Sequence, residues 1–130
     1  MSVRARKPTD RPEIQLKRAY AAPAGSDGTR ILVDRIWPRG LRKENAKIDL
    51  WLKDIAPSTE LRRWFHEDET RWPEFQRRYR REIRGNEESL NLLEQRARTG
   101  PITLLFAAAD VEHNNAVVLR GVIAARLRRR

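Results

Sequence analysis

The sequence predicts a single α/β domain built on a small, mainly parallel sheet flanked by helices. Three observations carry that prediction. Two continuous apolar runs, Ile31-Leu32-Val33 and Ile102 to Ala109, lack the alternation of a half-solvated strand and so suit strands covered on both faces. Between them lie segments with apolar residues at helical spacing, as in a chain that alternates strand and helix. At 130 residues the chain has about one domain's length, and it shows no internal repeat.

The elements follow in order. Residues 1–12 hold two prolines and no apolar period, which predicts a flexible basic arm ahead of the domain. Ile14 and Leu16 alternate with Gln15 and Lys17, a half-buried strand. Pro23 to Gly28 is turn chemistry, with Asp27 placed to bond its own backbone and Gly25 and Gly28 free to take positive φ. Ile31 to Val33 is an interior strand that stops at Asp34-Arg35-Ile36-Trp37-Pro38-Arg39-Gly40, where Pro38 and Gly40 impose a turn.

Residues 48–55 carry two periods at once: Ile48, Leu50 and Leu52 alternate, while Ile48, Trp51, Leu52 and Ile55 sit at helical spacing. The alternation is preferred, giving a strand after a short helical turn at 42–46. Ser58 is placed to cap a helix with Leu61, Trp64 and Phe65 on one face. Trp72, Phe75, Tyr79 and Ile83 form a stripe along a helix over 71–84, with Pro73 tolerated in its first turn. Asn86 caps the next helix, whose apolar face is Leu90, Leu93 and Ala97 and which Gly100-Pro101 terminates. Ile102 to Ala109 is the second interior strand. A last helix over 114–127 carries Ala116, Leu119, Ile123 and Leu127. The expected organisation is an arm over 1–12, a domain over 13–125 and a basic tail over 126–130.

Composition narrows the class. The chain has no cysteine, which excludes disulfide frameworks, thiolate zinc sites and cysteine nucleophiles. It holds no apolar run of membrane-span length, and its basic, polar start does not read as a secretory signal. A small cytoplasmic domain is expected. The net charge of +10 suggests nucleic acid, but its distribution does not. Residues 1–18 hold six bases and two acids, residues 120–130 five bases and no acid, and the body between them 17 bases and 16 acids. The excess belongs to the ends, where weak binding of nucleic acid by counterion release is open.

In open α/β sheets ligands collect at the carboxyl ends of the strands. Both interior strands here run into polar segments: Asp34 to Gly40, and Asp110-Val111-Glu112-His113-Asn114-Asn115. If the strands are parallel neighbours, the two segments meet. Arg35 and Arg39 would grip a phosphate or carboxylate, Trp37 would shape the wall, and Asn114 would complete the pocket. Asp34, Asp110 and His113 are the candidate acid–base groups. A structural alternative stands beside this. Asp34 would pair with Arg35 or Arg39, Trp37 would plug the sheet end, and Asp110 or Asn114 would cap the last helix.

From Val33 to Gly40 the chain resembles the YeaO-like family of small bacterial proteins, a domain of unknown function. The likeness continues through Ser26-Asp27-Gly28, Trp51-Leu52-Lys53, Ala56 to Arg62, Phe65-His66, Trp72 with Phe75 and Tyr79, and Leu104 to Ala108 with Asp110, His113 and Asn114. It covers about residues 13–125. The resemblance implies a compact α/β domain and no established activity. Some relatives carry a MarR-type regulator label, which these residues do not support, because the segment at Asp34 to Gly40 sits where neither a recognition helix nor a β-wing belongs. The chain departs from the family at Ala109, where a lysine is common, and at Phe106, where a tyrosine is common. More distant relatives carry Cys and Glu near Phe106 and Ala108. Without the lysine the edge loses one cation for holding phosphate.

No metal site or cofactor is indicated: His66-Glu67-Asp68-Glu69 reads as a solvated acidic loop, and there is no Walker A loop or GxGxxG motif. The favoured function is binding, with turnover as a further option, of an anionic small molecule such as a nucleotide or phosphate ester. The alternative is a nucleic-acid accessory role for the basic ends and for the arginine stripe Arg77, Arg78, Arg80, Arg81 and Arg84. That stripe lies opposite the aromatic one, so the two do not interleave into a base-stacking platform.

Overall fold

The computed structural model describes residues 13–129. The arm expected over 1–12 lies outside the described residues. Four strands, β1 (Ile14–Arg18), β2 (Thr29–Leu32), β3 (Leu50–Trp51) and β4 (Ile102–Phe106), form one sheet in the order β1-β4-β2-β3. Every pairing is parallel, with Ile14 beside Ile102, Thr29 beside Ile102 and Ile31 beside Leu50. The two continuous apolar runs are thus the two central strands, as burial on both faces requires.

Five helices accompany the sheet: α1 (Lys43–Ala46), α2 (Thr59–Glu67), α3 (Trp72–Arg84), α4 (Glu87–Thr99) and α5 (Asn115–Arg128). They are not shared evenly between its faces. Side chains alternate along a strand. Ile31, Val33, Ile102, Leu104 and Phe106 therefore face one way, into a core with Phe65, Phe75, Tyr79, Ile83, Leu93, Leu119 and Ile123 of α2–α5. Leu32 and Leu105 face the other way, under Trp37, Leu41, Ile48 and Trp51 of the segments that follow β2. That second face also holds Arg30, 4% exposed, and Asp27, 3% exposed, in an ion pair.

Local chemistry sets the boundaries. Ser58 Oγ accepts from Leu61 N, Asn86 Oδ1 from Ser89 N and Asn114 Oδ1 from Val117 N, so three helices begin on a side-chain cap. Both periods in residues 48–55 are used: Leu50–Trp51 pairs with β2, and Lys53–Ile55 makes a single 3₁₀ turn that buries Ile55. Gly28 sits at φ 66°, and a Cβ there would lie 2.0 Å from the Pro101 carbonyl oxygen, so no other residue lets β2 start against β4. The turn after β2 closes with Leu41 N donating to Pro38 O across Gly40 at φ 78°. Gly25, the other glycine expected to use positive φ, does not.

Charge counting puts Arg126 in the basic C-terminal segment, yet α5 carries it inward. Its guanidinium bonds Glu94 Oε1, Glu87 Oε2 and Asn91 Oδ1 and ties α5 to α4. Glu94 is 5% exposed and also bonds Arg98. No helix among the described residues is long and apolar enough to cross a membrane.

Candidate functional site

Because β2 and β4 are adjacent and parallel, the segments that follow them do meet, and Asp34 is where they are joined. Its Oδ2 accepts from Ala107 N at 2.9 Å, on the stretch just past β4, and its Oδ1 from Asn115 Nδ2 at 3.1 Å, in the first turn of α5. The same amide group donates to Val33 O, and Trp51 Nε1 donates to the Asp34 carbonyl. One carboxylate therefore links β2, β4 and α5. Burial pushes its pKa up, against the bonds from Ala107 and Asn115 and the nearby Arg62 charge.

Neither arginine expected to brace Asp34 does so. Arg35 turns away and donates from Nε to Pro57 O and from Nη2 to Ala56 O, holding the approach to α2. Arg39 leaves its guanidinium exposed, and its carbonyl accepts from Tyr20 Oη. Trp37 donates to Leu41 O and packs edge-on to Trp51 at 5.4 Å on the far side of the sheet, so it plugs that face. Beneath Asp34, Tyr79 is buried on α3 and donates to Ile55 O. Burial first, then the Asp34 and Glu82 charges, push its hydroxyl pKa far up, so it stays protonated.

The loop between β4 and α5 closes on itself. Asp110 Oδ1 accepts from Glu112 N and His113 N, its Oδ2 lies 2.9 Å from His113 Nδ1, and its carbonyl accepts from Asn114 Nδ2. The His113 bond, then that from Glu112 N, lowers the carboxyl pKa. His113 meets the Trp72 ring edge-on at 5.0 Å. Asn114 is buried as the cap of α5. Asp34, Asp110, His113 and Asn114 thus share one region, while Trp37 and Arg39 lie towards the other face. Two surface hollows, of about 480 Å³ and 380 Å³, are lined by none of these residues.

Sequence reasoning missed Arg18 and Arg62, and it placed Asn115 in the convergent segment without giving it a role. Arg18 ends β1, a third strand running to the same edge; its Nε donates to Ala108 O, its Nη2 to Ala107 O, and it stacks on Tyr20 at 5.0 Å. Among the described residues six arginines are buried or half-buried: Arg18, Arg30, Arg35, Arg71, Arg98 and Arg126. Four of them pair with a carboxylate. Arg18 and Arg35 are held by main-chain carbonyls instead, and both stand at the strand ends. No group of three or more metal-ligating acids or histidines occurs among the described residues. The arginine stripe on α3 is partly neutralised: Glu74 bonds both Arg77 and Arg78, and Arg78 stacks on Trp64 at 4.3 Å.

The sequence matches, over residues 13–130, the family described as the inactive DUF488-N3 subclade. The chain belongs to that family. Its relatives include the uncharacterised protein YeaO of Escherichia coli, 43% identical over 106 residues, which is 82% of this chain and 92% of the relative. The uncharacterised protein Rv3073c of Mycobacterium tuberculosis is 39% identical over 115 residues, 87% of this chain and 95% of its own. Uncharacterised protein Mb3100c of Mycobacterium bovis is equally similar. No solved structure matches the chain. This DUF488-N3 chain keeps the α/β architecture that the YeaO-like resemblance implies.

Proposed function

We propose that the C-terminal edge of the sheet binds an anionic small molecule, such as a nucleotide or phosphate ester, without turning it over. The observation that supports this is the placing of Arg18 and Arg35. An arginine partly removed from water without a carboxylate is costly to keep, and an anionic ligand supplies the missing charge. Arg62, whose charge bears on Asp34, and Arg39, exposed on the turn after β2 towards the other face, carry no carboxylate bond among the described residues. Asp34 and Asp110 serve this site as struts. The oxygens of each accept internal bonds, which supports a bracing role for both. The description of the family as inactive agrees with binding alone.

The test is thermal denaturation with inorganic phosphate, pyrophosphate, nucleoside mono- and triphosphates and sugar phosphates. A saturable rise in Tm is expected, and Arg39→Ala and Arg62→Ala should each reduce it without lowering the unliganded Tm. If no member of the panel shifts Tm, the anion reading fails. Nucleic-acid binding through α3 has less support, since Glu74 occupies two of the five arginines in that stripe.

A further inference from the structure

The groove of about 480 Å³ lies where β1 and β4 end, at the edge assigned to the anion, and its walls narrow the kind of anion that fits. Leu16 and Arg18 share one face of β1, the face that Phe106 takes on β4. Leu16 and Phe106 line the groove together with Tyr20, Ala21 and Val111. Tyr20 is 42% and Val111 57% exposed, two of the three exposed large apolar side chains among the described residues. A cleft of this size, mostly apolar with few polar groups, is the usual form of a small-molecule site.

The polar side chains around it are already engaged. Tyr20 Oη donates to Arg39 O, and Lys17 Nζ bonds both carboxylate oxygens of Asp27. Arg18 gives Nε to Ala108 O and Nη2 to Ala107 O. What these side chains still offer is the Arg18 charge, which no described carboxylate neutralises.

We propose that the ligand is a small anion with an apolar body, of which an aryl phosphate is the simplest, rather than a sugar phosphate or nucleotide. The inference rests on the anion reading and narrows it. Arg18 takes the anionic group, and Leu16, Phe106, Tyr20 and Val111 cover the apolar remainder. Burying a ring there removes apolar area of both partners from water. A ribose would instead shed its hydration against side chains whose donors are committed elsewhere. Tyr20 is held at both ends, by its hydroxyl on Arg39 O and by the Arg18 guanidinium 5.0 Å from its ring centre, so that wall is set before the ligand arrives.

The test titrates the full chain with phenyl phosphate, inorganic phosphate, ribose phosphate and phenol, and follows Tm. Phenyl phosphate should half-saturate the rise at a concentration roughly tenfold below that of inorganic phosphate. Ribose phosphate should do no better than inorganic phosphate, and phenol should give no rise. Val111→Asn, at an exposed position outside any helix or strand, should cut the advantage of phenyl phosphate roughly threefold and leave the response to inorganic phosphate unchanged. Should that variant fail to fold, the ligand series decides alone. Equal potency of phenyl and inorganic phosphate, or a ribose phosphate that matches phenyl phosphate, overturns this inference while the anion reading stands. A phenol response like that to phenyl phosphate overturns it too, as does a full advantage kept by folded Val111→Asn. If none of the four compounds shifts Tm, both readings fail together.

Discussion

Arg30 is the most heavily committed side chain on the loop-covered face. Its guanidinium pairs with Asp27 and donates to the carbonyls of Ala46 and Lys47, the latter held at φ 50°. Asp27 in turn accepts from Ala24 N and from Lys17. Arg30→Ala would leave Asp27 with only Lys17 and Ala24 N and would take the donor from two carbonyls, so chemical denaturation should show a loss of roughly 3 kcal/mol. Arg30→Lys should recover little of it, since one ammonium cannot span three acceptors in the fork geometry. The two buried aspartates respond oppositely to pH. Burial opposes ionisation of Asp27, but bonds from Ala24, Lys17 and Arg30 outweigh it and lower the pKa. Its stabilisation is therefore present above the ordinary carboxyl value of about 3.9 and is lost as pH falls through the lower folded value. Asp34 is raised, so its contribution is full below about 3.9 and is lost as pH rises through its folded value. Denaturation of Asp34→Asn between about pH 4 and 7 should show less decline in stability with rising pH than the wild type. An unchanged slope would contradict the raised value.

The elements differ in how far their residues announce them. The α3 stripe reads directly from the chain because Trp72, Phe75, Tyr79 and Ile83 recur within one helix, and the caps at Ser58, Asn86 and Asn114 act within three residues. The convergence of the β2 and β4 ends was equally legible from their apolar runs. The partners within it were not. Arg35 reaches Pro57, Asp34 reaches Asn115 and Arg18 reaches Ala107, and such long-range choices depend on how loops pack after the sheet has formed. Nor does any local pattern say that α2–α5 share one face while loops cover the other, since both covers bury β2 and β4 equally well. At this scale Asn114 is the informative test. It is 3% exposed, caps α5 through Val117 N and fastens the preceding loop through Asp110 O. Asn114→Ala should lower stability by about 1–2 kcal/mol, and Asn114→Asp, which keeps the cap but loses the donor, by less. Guanidinium unfolding curves measure both.

Across the whole molecule, the charge of +10 is best treated as a property of the ends and of exposed helix surfaces around a nearly balanced body. Removing residues 1–12 and 129–130 should flatten the salt dependence of any binding to duplex DNA. A cut at residue 126 would not be a fair version of that experiment. It removes the arginine that satisfies Glu94, so destabilisation is expected instead, read as a fall in Tm. The strand order has a consequence for how the chain acquires its shape. β4 stands between β1 and β2, yet it is synthesised last, so Ile14 and Thr29 both wait for Ile102. Until β4 has left the ribosome, β1 and β2 have no strand between them, and the two-residue pairing of β3 with β2 is all of the sheet that can form. Folding is thus held back until β4 has emerged, and a product terminated before it is not a smaller domain but an unfinished one.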